Sequence, residues 1–160
     1  MGGFSFGSTG LPMIANSYFE GNAPLLAFTA EPPQLLYDLL DTIDVFPHNT
    51  VVRRTLGPAN PPSPLNGLGF LDTIKSYINE SRTLGWITND PTANKYKRLI
   101  DSAKAGLAGN PPRRGMTKAK LDSVLVSVYP DTAAGTLTSE AYALIRFNTE
   151  YVMKKLREED

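Results

Sequence analysis

The chain contains no cysteine and a single histidine, His48. Disulfides, thiolate metal sites and cysteine nucleophiles are thereby excluded, and no metal centre or cofactor is expected with one imidazole to offer. Lack of cysteine fits a reducing compartment, although exported bacterial proteins also do without it. No stretch approaches the roughly 20 apolar residues that a membrane span requires. Residues 1–7 have neither a basic start nor a continuous apolar run, so no signal peptide is read there. Phe6 stands where an N-myristoylation sequence has Ser or Thr, which argues against that modification of Gly2.

Positive charge is also missing from the first third. No Lys or Arg precedes Arg53, whereas Glu20, Glu31, Asp38, Asp41 and Asp44 do. Residues 51–120 then hold twelve basic residues against four acidic ones, within a chain of formal net charge zero. An acidic head and a basic middle attract one another, within a molecule or between neighbours. A pI near 6.6 argues against a nucleic-acid partner.

What is present reads as a helical protein of one ordinary domain, since 160 residues with 41% apolar content suffice to bury a core. Residues 1–32 are punctuated by Gly2, Gly3, Gly7, Gly10, Pro12, Gly21, Pro24 and Pro32, too often for a helix. Their apolar residues come in short bursts, so the segment is expected to be an extended arm. Pro32 and Pro33 open a first helix over residues 33–46, with Leu35, Leu36, Leu39, Leu40 and Ile43 on one face. Its Asp38, Asp41 and Asp44 lack the glycine turn and closing glutamate of a calcium loop and read as a solvated surface. Residues 47–67 form a Pro-rich linker, with Gly57, Pro58, Pro61, Pro62 and Pro64 favouring extended polyproline geometry.

Residues 68–157 carry the periodicity of four further helices. The first runs to Leu84, with Gly85 placed as its C′ residue. In the next, Asp90 is expected as N-cap and Pro91 at the first helical position. The third is capped by Thr117 and stopped by Pro130, although its run from Val124 to Val128 is β-prone. The last starts at Thr138, with Leu137 able to staple onto Tyr142. Leu99, Ile100, Ala103, Leu121, Leu125, Leu144, Ile145 and Val152 are expected in the core. Asn148 falls on the same apolar stripe, so it must be buried and hydrogen-bonded to backbone carbonyls, with the loop after Trp86 as the expected partner.

These elements resemble the FIMAH-type helical domain of bacterial exported proteins over residues 70–157. The matching residues are Tyr77 and Ile78, the run Leu84, Gly85, Trp86, Ile87, Thr88 and Asn89, then Leu99, Ala103, Leu107, Gly109 and Asn110. Leu121 and Val128 follow, and the close is Leu137, Thr138, Ser139, Glu140, Ala141, Tyr142, Ala143 and Leu144. The resemblance implies an antiparallel helical bundle without catalysis, appended to other extracellular modules. Met1 would then begin a piece of a longer exported chain.

No residue pattern supplies a nucleophile with its base. His48 lies in a turn with no carboxylate placed to orient it, and the chain is not expected to be an enzyme. The arm, by contrast, carries Leu11, Ile14, Phe19, Leu25, Leu26 and Phe28 without a local core, so it needs another surface. The expected fold is all-α, an antiparallel bundle of four to five helices with an extended N-terminal arm. The expected role is a non-enzymatic structural or interaction subunit whose arm docks onto neighbouring chains, in a homo- or hetero-oligomeric assembly. A second reading places an anionic ligand or nucleic acid on Arg113, Arg114 and Lys118, where guanidiniums and free backbone N–H groups would meet at a helix start.

Overall fold

The computed structural model describes residues 9–20 and 50–158. The expected first helix over 33–46, His48, and Leu25, Leu26 and Phe28 of the arm lie outside the described residues, as does the side chain of Phe19. The described chain runs as β1 (Leu11–Glu20), β2 (Thr50–Ala59), α1 (Gly67–Thr83), α2 (Asp90–Leu107), α3 (Arg114–Ala133) and α4 (Ser139–Glu158). β1 and β2 pair as a two-stranded antiparallel sheet, so the fold is mostly helical but not all-α. The arm and the first part of the Pro-rich linker supply the two strands. Thr50, Val51, Val52 and Thr55 are β-formers, and the Gly57 and Pro58 that suggested a connector end the same strand.

The chain divides into two compact units, one of Met1–Ile14 with Leu56–Asp160 and one of Ala15–Thr55. In the smaller unit the strand residues are joined by Arg54 Nη1 donating to Asn16 Oδ1 at 2.9 Å and by a hydroxyl–hydroxyl bond between Ser17 and Thr55.

In the larger unit each helix packs on its neighbours in sequence, and α1 closes against α4. Asn66 caps α1 by accepting from Gly69 N at 3.0 Å. α2 is capped by Asn89, not Asp90, through Thr92 N at 2.9 Å, because Asp90 is already the first helical residue. Arg113 is the N-cap of α3, which begins one turn before the expected Thr117. Thr117 is buried instead, and its Oγ1 donates to Ala103 O at 3.1 Å and to Arg113 O at 3.3 Å. That contact needs Gly106, where a Cβ would come within 2.7 Å of Thr117 Oγ1. Pro130 does not stop α3, which continues to Ala133. A proline inside a helix forgoes its own N–H bond and crowds the carbonyl four residues back, here that of Val126, yet the helix runs on, and its end is set by Gly135 at φ 72°.

The four helices form two repeats of one hairpin. Leu71, Ile74 and Ile78 of α1 recur 50 positions later as Leu121, Val124 and Val128 of α3, all buried. The turns match bond for bond. Leu84 N donates to Glu80 O, Gly85 N to Arg82 O and Trp86 N to Ser81 O, while Ala134 N, Gly135 N and Thr136 N donate to Pro130 O, Thr132 O and Asp131 O. Gly85 (φ 77°) and Gly135 occupy the same left-handed C′ position, which side chains disfavour. The hairpins meet at an antiparallel bridge between Ile87 and Leu137, where Thr88 N donates to Thr136 O (3.1 Å) and Thr138 N to Trp86 O (2.9 Å). This reciprocity is what a two-fold axis between Ile87 and Leu137 requires. Tyr96, Ile100 and Ala103 of α2 and Ile145, Thr149 and Val152 of α4 complete the interior. Of the eight expected core residues, Leu99 and Leu125 are only half-buried. Each lies at the edge of the inward stripe, one position from Ile100 and Val124.

Candidate functional site

The structure collects its unusual side chains on α4 and the strand ends beside it. Asn148 is 1% exposed, and its Nδ2 donates to Leu144 O at 2.8 Å and to Pro12 O at 2.9 Å. The partner is therefore β1 rather than the loop after Trp86. A buried amide that ties an incoming strand to a helix explains an asparagine on an apolar stripe, since leaving it unpaired costs about 1–3 kcal/mol. One turn on, Tyr151 donates its hydroxyl to Pro62 O at 2.6 Å, and its ring meets Phe70 edge-on with centroids 5.7 Å apart. The two bonds hold the start of β1 and the segment after β2 against the same helix.

Between these tethers lies a groove with a cavity of about 640 Å³. Leu11, Pro12, Leu56 and Pro58 line it from the strands, and Ala143 and Phe147 from α4. Phe147 is 44% exposed. Glu150 and Lys154 also line it. Arg146 donates to Glu150 Oε1 at 2.7 Å and to the Tyr142 hydroxyl, and its guanidinium lies over the Tyr142 and Phe147 rings at 5.4 and 6.0 Å. These partners raise its pKa, Glu150 most. The chemistry offered is a place for apolar side chains, with a carboxylate and an ammonium on the lining.

Of the arm residues expected to meet another chain, Ile14 is 5% exposed and buried on its own chain, and Leu11 is half-buried in the groove wall. Of the basic set, Arg113 is exposed at the α3 N-cap and makes no side-chain cap bond. Arg114 and Lys118 are half-buried and already engaged by neighbouring groups. Among the described residues no three His, Cys, Asp or Glu side chains gather as a metal site would need. None of the described helices is long and apolar enough to cross a membrane.

The most perturbed acid is structural. Tyr96 is fully buried and its hydroxyl donates to Asp131 Oδ2 at 2.5 Å, with Lys95 on the same carboxylate oxygen. Burial, then the Asp131 bond and charge, push the phenol far above its usual range. The pair fastens α2 to α3 and points at no cavity wall described above. The groove itself was not legible in the sequence, because its α4 wall begins at Ala143, 85 positions after the strand residue Pro58. Asn148 was the one signal that something lay against α4. No family model, curated protein or solved structure matches the chain.

Proposed function

We propose that the chain is a non-enzymatic interaction module that receives an extended apolar segment of a neighbouring polypeptide in the groove between the strand ends and α4. The observation that carries this reading is Phe147, a large aromatic side chain left 44% exposed on the wall of an otherwise apolar groove. Burying such a ring contributes roughly 1.5–3 kcal/mol, and Glu150 and Lys154 on the lining offer charged groups to the polar atoms of the bound segment. An extended segment fits because two of the groove's walls are themselves extended chain. The role agrees with what the FIMAH-type resemblance implies, a helical module without catalysis within a larger extracellular protein.

This shifts the expected division of labour. The described part of the arm spends Ile14 on its own chain, so the helical unit is the receiver, and the donor is a segment of the neighbour. The polyanion reading is weaker, because two of its three cations are already engaged.

The test is selection from a displayed library of random peptides, followed by titration of the selected peptides against wild type, Phe147→Asp and Ala143→Arg. Peptides rich in apolar residues should be enriched, and both variants should weaken them by about tenfold or more, or 1.4 kcal/mol, with circular dichroism unchanged. Failure to select any peptide, or binding indifferent to both substitutions, would discard the groove as a receiver.

A further inference from the structure

An extended guest can join a sheet edge as a further strand, and it then needs a row of free backbone N–H and C=O groups. The groove beside α4 does not offer that row. In a strand the N–H and C=O of one residue point to the same side. The Pro12 carbonyl accepts from Asn148 Nδ2 at 2.9 Å, so the side on which Pro12 lacks an N–H is the side that meets α4. The edge of β1 is closed there by an amide of the helix. Pro58, on the β2 wall, has no donor either. At both positions the groove presents a pyrrolidine ring where a ladder would need a hydrogen bond.

The same helix already holds another kind of chain. Pro61, Pro62, Ser63 and Pro64 lie outside helix and strand, and the Tyr151 hydroxyl donates to the Pro62 carbonyl at 2.6 Å. Phe147 stands one turn earlier on α4 and lines the groove together with Tyr151, its ring 44% exposed. Side chains four apart are neighbours on a helix surface, so two aromatic rings border the groove side by side.

We propose that the segment received by the groove is proline-rich and enters in the polyproline II conformation. This rests on the groove reading above and names the chemistry of the guest. Polyproline II makes no internal or ladder hydrogen bonds, so a closed sheet edge takes nothing from it. Its pyrrolidine rings suit an aromatic-lined groove, and its fixed φ lowers the ordering cost of binding. Its solvated carbonyls accept from side-chain donors, as Pro62 does from Tyr151. Lys154 on the lining, 74% exposed and 3.9 Å from Glu158 Oε1, supplies such a donor. A β-forming guest instead brings an N–H at each residue, and at Pro12 it meets a carbonyl that Asn148 already engages.

The test compares two labelled peptides of equal length, repeats of Pro-Pro-Leu-Ser and the same repeats with valine for each proline, both monomeric at the concentrations used. They are titrated against the full chain by fluorescence anisotropy. The proline peptide should bind about tenfold tighter or more. Phe147→Asp should weaken it by a similar factor with circular dichroism unchanged. Val126→Glu, at an exposed position of α3 outside the groove lining, should leave it as it was. Equal or tighter binding of the valine peptide, no binding of the proline peptide, or binding indifferent to Phe147→Asp overturns the proposal. The groove reading falls with it only if the random library also yields no peptide.

Discussion

The hairpin of α1 and α2 and the hairpin of α3 and α4 share buried positions and turn hydrogen bonds, yet they spend their outer surfaces differently. The first is closed across its helices by Lys75 with Asp101 at 2.7 Å and Lys104 with Asp72 at 2.6 Å. The matching positions in the second, 50 later on α3 and 49 later on α4, are Leu125 with Glu150 and Met153 with Asp122. A cavity of about 310 Å³ bordered by Leu125 and Met153 lies there instead. At the edge of the inward stripe the first hairpin has Leu99, and the second has Asn148 holding β1. One half is finished as a solvent-facing scaffold, and the other carries the groove and the strand tether. The repeated hairpin gives a stable frame, and the surface positions at which its two copies differ give the frame something to hold.

If the halves are energetically equivalent inside, Leu71→Ala and Leu121→Ala should each cost about 2–5 kcal/mol by urea denaturation, from lost transfer energy and a cavity. A loss confined to one variant would show that only one hairpin belongs to the cooperative core. Leu125→Ala, at a half-buried position, should cost clearly less than either.

A smaller effect is expected where the halves differ in polarity. Asn148→Leu, which imposes the α2 residue on α4, should cost about 1–3 kcal/mol by leaving the Pro12 carbonyl without its donor. Hydrogen exchange should then rise in residues 11–14 while α1 and α2 keep their protection. Unchanged exchange in the strand would show that Asn148 does not hold it.

Tyr96→Phe breaks a bond that the second hairpin lacks and should cost about 1.5–3 kcal/mol, the range for hydrogen bonds to charged groups. Its pH dependence has a definite sign. The folded protein holds the phenol proton more tightly than the unfolded chain, whose value lies near the ordinary 10. The stabilisation is therefore complete below about pH 10 and falls as pH rises beyond it. Thermal melts of wild type should lose stability there more steeply than melts of Tyr96→Phe, and parallel curves would contradict the assignment.

The smallest effect belongs to the ion pairs that distinguish the first hairpin. Lys75 and Asp101 are 37% and 50% exposed, so removing either charge should cost about 0–1 kcal/mol, and less in high salt. A larger, salt-independent loss would mean that the first hairpin relies on its surface after all.

The helices and much of their interior were legible in the sequence, because a helix bonds four residues away and declares its buried face at a 3.6-residue period. Gly85 as a C′ residue, the burial of Ile100, Leu121 and Ile145, and the need of Asn148 for a partner all follow from that local arithmetic. Cap positions shifted by a residue or more, at Asn89 and Arg113, because several neighbouring side chains could have served and packing chose among them. The strand pair was not legible: a strand bonds to whatever lies beside it, and β2 meets β1 across a separation that no local pattern encodes. The same reason hides the partner of Asn148, which is 136 positions away at Pro12. By itself the sequence determined four helices, the turn at Gly85 and most of the stripe each would bury. Tertiary structure alone decided which stripe would be covered by the chain's own strand and where a groove would remain, because those outcomes depend on surfaces that exist only once the helices have packed.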